Sequence, residues 1–141
     1  MIVFQNFPFT RIKSPEIIEQ WLLKIAGEHG YVIRELVYAF VDNPRILEIN
    51  QQFLKHDYFT DIITFDYGKG RKISGEIFIS VDQIEIQAKE YGVGFDQEFL
   101  RVVAHGLLHL IGFDDKMEVD KELMRKEEDK CLVLHAQIIG N

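Results

Sequence analysis

Apolar and polar residues follow two rhythms along the chain, an alternation suited to strands and a three-to-four-residue recurrence suited to helices. Switches between them mark out the elements. Ile2 to Phe9 is rich in β-branched and aromatic residues and reads as an edge strand interrupted near Pro8. Ser14-Pro15-Glu16 is a helix start, with a capping hydroxyl, a proline where its missing N–H costs nothing, and an acid in the first turn. Ile17, Ile18, Trp21, Leu22 and Ile25 then form one apolar face opposite Glu16, Glu19, Gln20 and Lys24, and the helix runs to about Gly27. Trp21 is expected in the core. A second strand covers Val32 to Val41. Asp42-Asn43-Pro44 opens a helix through Ile46, Leu47, Ile49 and Phe53 that fades over Lys55 to Phe59.

The second half changes character. Asp61 to Tyr67 and Ile73 to Ser80 read as strands either side of the basic turn Gly68-Lys69-Gly70-Arg71-Lys72, so they should pair as an antiparallel hairpin. Asp82 with Glu85 resembles a capping box opening a helix that Gly92 closes, Ser80 is a further candidate cap for that helix, and Asp96 opens the next. The final helix spans roughly Met117 to Gln137, charged in its first half and apolar in its second. This order predicts an α+β fold over residues 1–141 as a single domain. Its sheet is mixed and four-stranded, mostly parallel with a late antiparallel hairpin, and about five helices surround it.

Composition narrows the class without naming a chemistry. At 141 residues and 47% hydrophobic content, the chain can bury one substantial core. No apolar run approaches the roughly 20 residues a bilayer demands, and no charged n-region precedes an apolar stretch at the start, so a cytoplasmic protein without a membrane partner is expected. Cys131 is the lone cysteine and sits among Leu132, Val133 and Leu134, which points to a buried free thiol. A net charge of −7 argues against holding nucleic acid by bulk electrostatics, while leaving a local basic patch or a bound cation able to engage phosphates.

The chemistry concentrates in His105 to Asp115. His105 and His109 stand one helical turn apart on one face, where two imidazoles can converge on one ion. Gly112 can end the helix in a positive-φ conformation and return Asp114 or Asp115 as a third ligand. Two histidines and a carboxylate leave a coordination position open, as catalytic zinc sites do, whereas a hydrogen-bonded core pair is the bland alternative. The metalloprotease pattern H-E-x-x-H needs a glutamate as general base beside the first histidine. Gly106 occupies that position, so a zincin-like metallopeptidase becomes the second choice. His29 and His135 are expected to be structural or solvent-facing.

The same stretch resembles the signature H-G-x-L-H-L-x-G-[FY]-D-H of the YbeY family, bacterial metal-dependent endoribonucleases of ribosomal RNA maturation. His105, Gly106, Leu108, His109, Leu110, Gly112, Phe113 and Asp114 match it position by position. Glu48-Ile49-Asn50, the run Thr60 to Phe65, Gly75 to Ser80, and Met124 with Glu127-Glu128 resemble further blocks of that family. The resemblance implies phosphodiester hydrolysis assisted by one divalent metal ion, Zn2+, with ribosomal RNA precursor as substrate and ribosomal small-subunit proteins as further partners. It also makes Asp115 the third ligand, standing where the family has a histidine. Leu54 stands where the family has an arginine, and Lys55 or His56 is the candidate replacement. Asp61 is a candidate acid or water-positioning group; Lys69, Arg71, Lys72 and Asn50 are candidate RNA contacts. A non-catalytic ribosome-assembly factor with a structural metal is the remaining alternative.

Overall fold

The computed structural model describes residues 1–54 and 60–140. In chain order these form β1 (Ile2–Gln5), α1 (Pro15–Glu28), β2 (Val32–Val41), α2 (Asn43–Leu54), β3 (Ile62–Asp66), β4 (Lys72–Ser80), α3 (Val81–Tyr91), α4 (Phe95–Ile111) and α5 (Glu118–Gly140). The sheet runs β1-β2-β4-β3. β1, β2 and β4 are parallel, and β3 is antiparallel to β4 with Ile62 opposite Ile79 and Asp66 opposite Gly75. The mixed sheet with a late hairpin and five helices is the predicted architecture.

Alternation along the strands assigns each face of the sheet to a different cluster. Ile33, Leu36, Tyr38 and Phe40 of β2, with Ile73, Ile77 and Ile79 of β4, join α1, α4 and α5 in the main core. On the opposite face Ile46 and Ile49 of α2 pack with Ile63, flanked by Val41, Phe65 and Phe78. Trp21 is fully buried, and its indole N–H donates to the Cys131 carbonyl at 2.8 Å, tying α1 to α5. The buried Tyr38 hydroxyl donates to the Val103 carbonyl at 2.8 Å and fixes α4 over the sheet.

Several local expectations shift. β1 stops at Gln5 because Asn6 takes φ 56°, and the chain then turns through Pro8, whose carbonyl accepts from Arg11 and Ile12. Ser14 adopts φ 59° and caps nothing with its side chain, so Pro15 and the first-turn acid Glu16 mark the start of α1. At α3 the cap is Ser80, whose hydroxyl accepts from the Gln83 N–H. Asp82 accepts from the Asn43 N–H instead, and Glu85 pairs with Arg11. Gly94, one position before Phe95, is the N-cap of α4 in place of Asp96. No helix among the described residues is long and apolar enough to cross a membrane.

Candidate metal centre

α4 lies close to the sheet because it carries a glycine at the crossing. A Cβ on Gly106 would stand 2.9 Å from Ile62 Cδ1 and 3.1 Å from two atoms of Ile77, so the helix approaches β3 and β4 more closely than a larger residue permits. Leu110, four residues on, faces Gly75 of β4 on the same side. His105 and His109 are one position round from that buried face, with side chains 18% and 25% exposed, so the imidazoles sit at the margin between core and solvent. Their rings meet edge-on with centroids 4.6 Å apart. A Cβ at 106 meets Ile62 and Ile77 of the sheet, and the glycine leaves no carboxylate beside His105 to serve as a metallopeptidase's base.

The chain reversal forms as expected. Gly112 takes φ 122°, its N–H reaches the carbonyls of Leu108 and His109 at 3.1 Å, and the turn brings the acidic pair back beside the helix. The two aspartates then divide. Asp114 Oδ1 accepts from the Asp115 N–H at 2.8 Å and so shapes the turn, whereas Asp115 Oδ2 lies 3.3 Å from His105 Nε2 and 3.5 Å from His109 Nε2. One donor atom from each of His105, His109 and Asp115 falls within 4.8 Å of the others. Ligands at about 2.0–2.1 Å from a tetrahedral ion stand about 3.4 Å from one another, so the two nitrogen-to-carboxylate spacings suit such an ion without rearrangement.

Behind the cluster stands a support from the Met124 and Glu127-Glu128 block, which resembles the family's last helix but to which the sequence assigned no role. Glu128 of α5 is buried, and its Oε2 lies 2.6 Å from His105 Nδ1 while its Oε1 accepts from Arg101 Nη1 at 2.8 Å. An ionised carboxylate only accepts, so Nδ1 carries the proton and Nε2 presents its lone pair to the cluster. The second arm of Arg101 donates to Asp129 at 2.7 Å. Burial, the largest single influence on His105, pulls its pKa down. The hydrogen bond and charge of Glu128, with the charges of Asp61 and Asp115, outweigh it and leave the value raised. Met124, Glu127, Glu128, Cys131 and Leu134 all lie on the buried stripe of α5. Two glutamates in register with an apolar stripe were the available signal.

Asp61 lines a cavity of about 150 Å³ with His105 and Glu128, and its Oδ2 accepts from Gln87 Nε2 at 3.3 Å. The same Gln87 nitrogen donates to the buried Glu98 at 2.9 Å. Burial raises the Glu98 pKa most, Gln87 and Arg101 oppose it, and the Asp61 and Glu128 charges add to the rise. Lys69 and Lys72 line a separate cavity with Arg34, Glu35 and Tyr67, and Arg71 turns to the Tyr31 ring and the His29 carbonyl. Asn50 is 1% exposed on α2. Lys55 and His56 lie outside the described residues. His29 lies 3.5 Å from Glu127 and against Phe113, and His135 packs edge-on to Trp21. Neither belongs to the cluster.

Comparison with known proteins gives one consistent answer. Residues 6–135 match the family profile described as Endoribonuclease YbeY. The Endoribonuclease YbeY of Flavobacterium johnsoniae is 47% identical over 138 residues, covering 97% of this chain and 99% of that protein. The Bacteroides thetaiotaomicron protein of the same name is 42% identical over 127 residues, covering 87% and 93%. A solution structure of a Thermotoga maritima protein superposes with a TM-score of 0.69 at 27% identity, covering 97% of this chain and 90% of that one. With a profile spanning most of its length and relatives aligned nearly end to end, the chain belongs to the YbeY endoribonuclease family.

Proposed function

We propose that this chain is a metal-dependent endoribonuclease that hydrolyses phosphodiester bonds in precursor ribosomal RNA during ribosome maturation, acting as one cytoplasmic domain. The observation that carries the reading is the convergence of His105, His109 and Asp115 at spacings a single ion can bridge. These three residues hold one divalent cation, with Zn2+ favoured by two imidazole donors and a small tetrahedral spacing. When bound, the ion supplies Lewis acidity toward a phosphoryl oxygen and toward water.

The chain's own groups set the surroundings. Glu128 keeps the His105 tautomer correct, and Arg101 holds the Glu128 carboxylate in place. Asp61, open to the cavity beside His105, orients a water or accepts its proton at a carboxylate oxygen. Lys69 and Lys72 on the hairpin offer an outer contact for the RNA backbone, and a ribosomal small-subunit protein is the expected protein partner.

The test combines metal analysis with cleavage of single-stranded and precursor ribosomal RNA by the wild type, His109→Ala and Asp115→Asn. Both variants should lose metal and activity together. An Asp115→Asn protein with full metal content and rate would remove Asp115 from the ligand set, and undiminished cleavage by His109→Ala would trace the activity to another nuclease.

A further inference from the structure

Building on the endoribonuclease reading, we propose that Arg125, with Lys121 one helical turn before it, grips the RNA phosphate backbone beside the metal cluster. Two cavities border His105 and Glu128, one of about 150 Å³ and one of about 290 Å³. The first has an acidic wall of Asp61, Glu98 and Glu128, and the second includes Asp115 with Glu128. A polyanion entering such a place needs fixed positive charge besides any metal, because each carboxylate repels it.

The cations available there are few. Arg101 lines the smaller cavity, but its fork is committed to Glu128 and Asp129 and its side chain is only 14% exposed. Arg125 lines both cavities, is exposed, and has no ion-pair or hydrogen-bond partner among the described residues. Lys121 lines the larger cavity beside Asp115 and is held only by Glu118 at 3.6 Å, on the solvent side. Positions 121, 125 and 128 share one face of α5, so the same helix presents the carboxylate that steadies His105 and the two cations that face incoming phosphate. A guanidinium fork matches two phosphate oxygens, whereas the lysine supplies a point charge.

The experiment measures binding of a short single-stranded 2′-O-methyl oligonucleotide to the zinc-loaded protein across a salt series, with intactness checked on gels. Wild type is compared with Arg125→Ala, Arg125→Lys, Lys121→Ala and Lys24→Ala, the last an exposed cation on α1. Arg125→Ala should weaken binding about tenfold and flatten the log–log salt slope by about 0.7, the share of one phosphate contact on a single strand. Arg125→Lys should restore the slope, Lys121→Ala should show a smaller loss, and Lys24→Ala should match wild type. Metal content and melting temperature should stay unchanged in all four, a result a merely structural role for Arg125 would not give.

Wild-type affinity and slope in Arg125→Ala would overturn the proposal while leaving the cleavage activity in place. A weakened Arg125→Ala that has also lost metal, with its salt slope intact, would overturn it as well. A wild type that neither binds the oligonucleotide nor cleaves RNA would remove the endoribonuclease reading and this inference with it.

Discussion

Replacing Glu128 by glutamine changes almost no volume, yet it sets two neighbours in conflict. The carboxylate accepts from His105 Nδ1 on one oxygen and from Arg101 on the other. An amide has one accepting oxygen. If that oxygen faces His105, the NH2 group confronts the Arg101 fork donor to donor. If it faces Arg101, the NH2 group can be satisfied only by a bare Nδ1, which moves the imidazole proton to Nε2 and blocks the lone pair the cluster needs. A hydrogen bond to a charged group contributes about 1.5–3 kcal/mol, and the side chain is only 9% exposed, so little of this is lost to screening. At about 1.4 kcal/mol per decade, zinc affinity should fall roughly 10- to 100-fold. Competition against a chromophoric chelator measures it directly. Arg101 keeps Asp129 as a partner, so global stability should fall by only about 1 kcal/mol. Zinc affinity within twofold of wild type, with only the melting temperature lowered, would refute the tautomer argument and leave Glu128 as a packing residue.

Two further outcomes test the frame around the site. Gly106→Ala gains about 1 kcal/mol of helix propensity but drives a methyl against Ile62 and Ile77 at 2.9–3.1 Å, an overpacking of about 1–3 kcal/mol. Denaturant titration should therefore show a net loss of up to about 2 kcal/mol, and a stabilised variant would mean that α4 does not sit this close to the sheet. Burial holds the His135 pKa below its ordinary 6.5, against a weaker opposing pull from Asp96. The unfolded chain therefore binds this proton first, and stability is full above about pH 6.5 and declines as pH falls from there toward the lowered folded value. The drop in melting temperature between pH 7.5 and 5.5 should shrink in His135→Gln, and an unchanged drop would assign the acid sensitivity elsewhere.

Much of this arrangement is legible from local pattern because local physics decides it. Val32 to Val41 is a strand by its β-formers and is β2 to the residue, and the glycine after His109 ends α4 as its spacing implies. The split between Asp114 and Asp115 was open on geometry alone, since either side chain can return along the turn, and a backbone hydrogen bond decides it. Ser14 and Asp82 look like caps in sequence, but a cap depends on where the preceding chain arrives. Ser80 leaves its strand already oriented to accept from Gln83. Glu128 and Arg125 lie more than a dozen residues past the histidines, on a helix whose docking against α4 no short motif records. Glu128's contact with His105 comes from tertiary packing, and the sequence shows only an acid placed in an apolar stripe.

The three candidate ligands all come from one short run, His105 to Asp115, whereas Glu128, Asp61 and Gln87 reach the site from distant parts of the chain. Closing loops of so few residues costs little entropy, so an unfolded or half-made chain retains much of the ligand set. Metal can then be captured before the sheet is complete, and its affinity for the unfolded state cancels part of the stabilisation that binding to the native state brings. On the proposed ligand set, metal loading is a poor reporter of correct folding. The centre is completed only when α5 docks and delivers Glu128 to His105.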